Sequence, residues 1–326
     1  MMYPDLMSVA DEFDIFLFDA YGVFWEGNGF YPRSRETMAE LVNAGKTVAV
    51  ISNTTRLCPD MVLSYDNKGL KQHRDYTHFV TSGDVLKEHL HAQNIHFTSC
   101  PNPRKYYVIG LPHKKAFADT AYEEVETMEE ADFIYCGVPF MYEKDIRRYP
   151  QYADQYLPAR TDKQGKIYLW DTLTAEPFAE FVRLAEDLKK PLLNANPDLT
   201  AREGHPLLEG SPTAFVIRNG TIAEMFRKAG IEVVEFGKPH RNIYDYTFRL
   251  LQADGLKINK TRTCMIGDTV RTDIKGALNY GIKAVLCMDT GIIANEIAKG
   301  NSLENICQAE KIDVQQIIQI SSVGGK

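Results

Sequence analysis

Paired cysteines are missing from this chain. Its six cysteines, Cys58, Cys100, Cys136, Cys264, Cys287 and Cys307, are scattered with no C-x-x-C spacing. In a chain of 326 residues this pattern reads as reduced thiols and excludes a disulfide-stapled scaffold. No stretch approaches the roughly 18 uninterrupted apolar residues of a membrane span. The opening MMYPDLMSVADEFD is acidic where a secretory signal would be basic. These absences predict a soluble, cytoplasmic protein with no membrane partner. A basic excess is absent too: 37 Lys and Arg stand against 44 Asp and Glu, a net charge of −7. General nucleic-acid binding needs a basic face, so it is excluded. An acidic protein that handles an anion must instead concentrate positive charge locally. What remains is ordinary: 44% apolar and 25% charged residues, the balance of a globular protein. At about 150 residues per domain the length suggests two domains, with enough chain to bury a core without staples.

Repeats and low-complexity segments are also lacking, and strand patterns alternate with helix patterns. Ile15 to Phe18 is a short buried strand ending at Asp19, and Thr47 to Ile51 is a second, ending at Ser52. Helical spacing runs from Ser34 to Asn43, and Ser82-Gly83-Asp84 caps a predicted helix over Val85 to Ala92. After Gly230 the same style returns. Val233-Val234, Cys264 to Ile266 and Ala284 to Cys287 read as strands, with helices over 243–252 and 273–279. This is the pattern of a parallel sheet covered on both faces. Between the two parts lies a different stretch, with a helix predicted near Ala175 to Lys189 and another over Ala214 to Ala229. Met141 to Tyr168 has little periodicity. The expected fold is α/β: a Rossmann-like parallel-sheet core over 1–100 and 233–326, interrupted by an inserted α/β cap domain over 101–232.

Ligands of parallel sheets bind beyond the carboxyl ends of the strands. Here those ends carry Asp19, Ser52, the Gly237-Lys238 turn, and Asp268 with Asp273. Packing requires none of them there. Carboxylates with a few waters suit Mg²⁺, which takes octahedral oxygen ligands. A lysine and backbone amides beside them suit a phosphate. Together they describe phosphoryl transfer.

These same residues carry a resemblance. FDAYGV at 18–23, VIS at 50–52, GKP at 237–239 and GDTVRTD at 267–273 resemble, in order, the motifs of the haloacid dehalogenase superfamily. SNTTR at 52–56 and ANPD at 195–198 narrow the resemblance to the class IIA branch, with its NagD-like, pyridoxal-phosphate and nitrophenyl-phosphate phosphatases. The resemblance implies that Asp19 is a nucleophile forming an aspartyl-phosphate. It implies that Asp19, Asp268 and the backbone carbonyl of Tyr21 hold Mg²⁺, with Asp273 supporting the metal's water shell. Ser52 and the amides of Asn53 and Thr54 would hold phosphate oxygens, with Arg56 also on the substrate. Lys238 would neutralise charge between nucleophile and phosphoryl group. His205, in a His-Pro-Leu like that of pyridoxal-phosphatase caps, would contact substrate or be an exposed loop histidine. A homodimer through the cap is a further implication.

Tyr21 departs from the pattern. Phosphatases of the superfamily carry a second Asp there, the general acid/base, a role typically worth 10²–10⁴-fold. A phenol with an ordinary pKa near 10 is a poor base. Glu26 is the nearest candidate in sequence to swing in as a replacement. Three functions follow: a phosphohydrolase of reduced activity, a non-catalytic phosphometabolite-binding or regulatory protein, and a 2-haloacid dehalogenase, whose motif one carries Tyr at this place. The paired G-D-x-x-x-x-D and the insertion after motif two argue against the third.

Overall fold

The computed structural model describes residues 2–111, 113–139, 141–142, 160–161, 167–169, 175–203 and 214–325. Two parallel sheets dominate. The first has seven strands in the spatial order Met2–Tyr3, Ile317–Ile320, Lys283–Cys287, Thr263–Gly267, Ile15–Phe18, Thr47–Ser52 and His78–Thr81. Every pair in it is parallel. Both faces are buried: Ile15 and Leu17 enter one apolar cluster, while Phe16 and Phe18 enter another. This accounts for continuous apolar runs where a half-exposed strand would alternate.

The second sheet has five strands, ordered Val233–Glu235, Leu192–Asn194, Phe133–Cys136, Lys105–Ile109 and Glu123–Glu124, again all parallel. One of its faces shares the cluster that holds Ile15 and Leu17, through Tyr106, Val108, Tyr135 and Leu193. Its other face packs Tyr107, Ile109 and Ile134 against Phe181 and Phe226. Val233–Glu235 pairs here with Leu192–Asn194, although the sequence reading assigned it to the resumed first sheet. A three-residue apolar strand carries no signal for which sheet it joins.

Two helix boundaries differ from expectation. Over Ala214 to Ala229 only Asn219–Lys228 is helical; Ala214–Ile217 is a strand, antiparallel to Thr200–Glu203. Its AFVI sequence has the β-branched and aromatic character of a strand. The helix Ser82–His91 is capped by Thr81 rather than Ser82, in a reciprocal box with Asp84. Ser82 is thereby freed for tertiary work: its Oγ donates to the carbonyls of Thr54, at 2.8 Å, and Ala195, at 2.5 Å. That hydroxyl joins the loop after Ser52 to the loop after the strand Leu192–Asn194. Met141–Tyr142, Ile167–Leu169 and Arg160–Thr161 form a small antiparallel sheet; the rest of 141–168, and His205, lie outside the described residues.

Candidate active site

Strand register builds the centre of the site. Phe18 pairs with Ile266, and the amide of Asp19 donates to the Ile266 carbonyl at 2.9 Å. Asp19 and Asp268 therefore leave neighbouring strands side by side. Phe18 also pairs with Val50, so Ser52 emerges on the other side of Asp19. The chain then turns sharply: Val23, Phe24 and Trp25 all donate to the carbonyl of Ala20. Gly22, with φ of 80°, lies against Asp268, and so does Gly291. A Cβ at either glycine would collide with the Asp268 carboxylate, so both are cradles for that side chain.

Asp273 is brought back by a single π turn over Val270–Ile274, a local widening common at functional sites. Its Oδ2 accepts from the amides of Asp268 and Thr269, at 3.2 and 3.1 Å. Asp268 accepts from the amide of Ile292 at 2.6 Å and from Thr269 Oγ1 at 3.0 Å. Into this cluster comes Lys238, whose Nζ is 2.5 Å from Asp19 Oδ1 and 2.9 Å from Asp273 Oδ1. Lys238 is itself fixed by Asn53: its amide donates to Asn53 Oδ1 at 2.7 Å, and Asn53 Nδ2 donates back to its carbonyl at 3.0 Å.

The electrostatics follow from burial. Loss of water pushes Asp19 up to about 7, against the pull of Lys238. Asp268 is pushed well above the carboxylate range by burial, with Asp273 and Asp19 adding like-charge repulsion. Burial works against the Lys238 charge too, but Asp19, Asp273 and Asp198 outweigh it and hold the ammonium charged. Oxygens of Asp19, Asp268 and Asp273 lie within 4.8 Å of one another. Burial and mutual repulsion make full ionisation of these carboxylates costly unless further positive charge answers it. Clustered hard oxygen donors with that demand fit a divalent cation.

The remaining expected residues are near at hand. A cavity of about 300 Å³ is lined by Asp19, Tyr21, Ser52, Thr54, Arg56, Asp198 and Arg218, with His113 among its other walls. Ser52 is buried, and its Oγ accepts from the Thr54 amide at 3.3 Å, so this amide, expected to face a phosphate, also closes the turn. Glu26 is not part of the group. It pairs with Arg202 at 2.7 Å, because the strand Thr200–Glu203 supplies a cation beside it. His240, near the GKP turn, pairs with Glu235 at 3.0 Å.

Tyr21 keeps its proton: burial raises its pKa, and Asp19 adds to this while Arg218 and Arg56 pull back. The phenol is therefore a donor, not a base. Asp198, whose turn is closed by its own amide on Asn196 Oδ1 at 3.1 Å, receives Asn53 Nδ2 at 2.8 Å. Burial pushes its carboxyl up to about 6. Asp198, in the ANPD stretch, both shapes its turn and lines the cavity. His113 and Arg218 were missed. Arg218 directly follows the apolar strand run Ala214–Ile217, the same signal that singled out Asp19 and Ser52, whereas His113 stands beyond the end of Lys105–Ile109.

Fold and site together define a parallel-sheet α/β protein with a cluster of three carboxylates around a buried lysine. Residues 16–123 match the haloacid dehalogenase-like hydrolase family, and residues 235–305 match the HAD-hydrolase-like family. The chain belongs to the haloacid dehalogenase superfamily, in its class IIA branch, and is a phosphoric monoester hydrolase of that type. It is 25% identical to phosphoglycolate phosphatase 2 of Arabidopsis thaliana over 93% of this chain and 94% of that one. It is 24% identical to a 4-nitrophenylphosphatase of Schizosaccharomyces pombe over 88% and 87%. A haloacid dehalogenase-like hydrolase from Brucella suis 1330 shares the fold, with a TM-score of 0.70 and 22% identity over 98% of both chains.

Proposed function

We propose that this chain is a Mg²⁺-dependent hydrolase of a small phosphorylated metabolite that works through an aspartyl-phosphate on Asp19. The observation that carries the reading is Lys238 Nζ, 2.5 Å from Asp19 Oδ1 within a cluster of three carboxylates. Names of relatives support the reaction class: phosphoglycolate phosphatase and 4-nitrophenylphosphatase.

In this reading an Asp19 oxygen attacks phosphorus, the ester P–O bond breaks, and the leaving oxygen takes a proton from water. A second water then attacks phosphorus, the bond from phosphorus to Asp19 breaks, and the water's proton passes to solvent, which returns Asp19 and inorganic phosphate. Lys238 holds Asp19 in place and meets the charge that develops on the transferring group. Ser52, with the amides of Asn53 and Thr54, orients the phosphoryl oxygens, and Arg56 steadies the substrate. Mg²⁺ held by Asp19, Asp268 and the Tyr21 carbonyl, with Asp273 behind them, would supply charge neutralisation. We assign the core to 1–100 and the part after Glu235, and the cap to the stretch between, because Val233–Glu235 pairs in the cap's sheet. A homodimer through that cap belongs to the same proposal. All six cysteines are unpaired, which supports a reducing, cytoplasmic setting. Among the described residues no helix is long and apolar enough to cross a membrane.

The direct test is phosphate release from a panel of phosphorylated metabolites with Mg²⁺. Turnover that requires the metal is expected; no turnover on any ester would sink the reading. Tyr21 favours a second reading, a phosphometabolite-binding protein, since its phenol cannot serve as a base. Ligand-induced thermal shifts without product would support that one.

Metal removal has a signed consequence. The folded-state pKa values of Asp19, about 7, and Asp198, about 6, are raised above those of the unfolded chain. The folded state thus binds more protons, and stability is gained as pH falls through these values toward 4. In chelator, Tm is expected to rise from pH 8 to pH 5.5. Saturating Mg²⁺ binds the ionised carboxylates and should shrink that rise. A metal-free Tm that is no higher at pH 5.5 contradicts this account.

A further inference from the structure

The helix Asn219–Lys228 packs Ile222, Ala223 and Phe226 onto the second sheet. Its polar face reaches the two loops that carry the reacting charges. Glu224 and Arg227 stand one turn apart on that face, 2.6 Å from each other. Glu224 also pairs with Arg271, which lies in the turn between Asp268 and Asp273 on the first sheet. Arg227 reaches the other way, to Oε2 of Glu235, three residues ahead of Lys238. One helix thus holds the 267–273 loop through an acid and the approach to Lys238 through a base.

Both attachments are reinforced. The Glu235 side chain is only 5% exposed, and it meets Asn194 Nδ2 at 2.7 Å and His240 Nε2 at 3.0 Å. Burial opposes its charge, but His240 and Arg227 outweigh this and keep it ionised. Arg271 has a second partner in Glu310, at 3.7 Å. Charges therefore alternate from Glu235 through Arg227, Glu224 and Arg271 to Glu310. Such a network holds more firmly than an isolated exposed pair.

Inside the site Lys238 joins the same two loops, with Nζ 2.9 Å from Asp273 Oδ1. The outer pairs and this inner pair span one gap. Glu224, Arg227, Glu235 and Arg271 do not line the cavity that holds Asp19. Any effect they have on the chemistry must pass through Lys238 and the acidic loop. We propose that Glu224 is a positioning residue which, through Arg271 and Arg227, sets the spacing between Lys238 and the loop of Asp268 and Asp273. This rests on the phosphohydrolase reading above.

The test assays Glu224→Gln, Arg271→Gln and the double variant on 4-nitrophenyl phosphate with saturating Mg²⁺. Each single variant is expected to lose about tenfold in kcat with KM within about twofold, since a misplacement of about 1 Å can cost 10²-fold. The double variant should lose no more than the worse single one, because both changes act through one pair. Arg271→Lys, which keeps the charge, should recover part of kcat. Lys71→Gln, which breaks an exposed pair with Asp66, should leave kcat at the wild-type value.

If no ester turns over, the hydrolase reading fails by itself, and hydrogen exchange without metal decides the positioning role. The amides of Asp268 and Thr269 donate to Asp273 Oδ2. They should exchange about fivefold faster in both single variants, while the strand Thr47–Ser52 keeps its wild-type rates. Unchanged kcat in both single variants, a loss that appears in KM instead, or losses that multiply in the double variant overturns the proposal. So does unchanged exchange at 268 and 269, or equal acceleration in the strand.

Discussion

Asp19→Asn is expected to cut turnover by about 10⁴–10⁶-fold, the range seen when a covalent nucleophile is removed. An amide cannot attack phosphorus, and Lys238 loses the carboxylate it holds at 2.5 Å. Acid-quenched reactions with labelled substrate should show phosphorylated wild-type enzyme and none in the variant. The same change should raise the metal-free Tm. It removes one of three like charges whose oxygens lie within 4.8 Å, in a place where burial already pushes Asp19 up to about 7. Lost activity with gained stability separates a chemical role from a folding defect. A variant keeping more than about 1% of wild-type turnover would remove Asp19 from the reaction.

Tyr21→Asp carries the second large effect, in the opposite direction. A positioned carboxyl that protonates the leaving oxygen and then activates water is worth about 10²–10⁴-fold. Tyr21 cannot do the second half, because burial raises a pKa that was already too high for a base. The gain should fall toward the lower end of that range. An aspartate there meets Arg218 and Arg56, which would hold it ionised and compete for it. Alkyl phosphates, whose leaving oxygens need a proton, should gain more than 4-nitrophenyl phosphate. No gain on any ester would place the limitation elsewhere in the site.

Much of the reacting centre could be read locally. Asp19, Ser52 and Asp268 each end an apolar run, where the backbone leaves the sheet and packing no longer demands an apolar side chain. Lys238 follows a glycine with φ of 108°, and a Cβ there would strike Asn53 Oδ1. Glu26 shows the limit of the same method. It is near Asp19 in sequence, yet Arg202 takes it, because sequence proximity does not set the direction in which a side chain leaves a turn. Arg218 was obscured by a misread helix, since AFVI followed by RNG fits both a strand end and a helix interior. His113 stood one residue beyond a Leu-Pro pair, with nothing local to mark it.

The residues alone settled the class of chemistry and the alternation of strand and helix, because both depend on short-range pattern. A buried strand must be apolar, and its end is free to be polar. Tertiary structure decided which of those ends meet. It set Thr263–Gly267 beside Ile15–Phe18, so that Asp268 stands next to Asp19. It hung Asp198 on Asn53 across 145 positions of sequence, and it brought Arg218 to the cavity that Tyr21 lines. Such meetings depend on strand order and on how the second sheet lies over the first. No local preference encodes either, since each is fixed only when the shared apolar cluster between the two sheets closes.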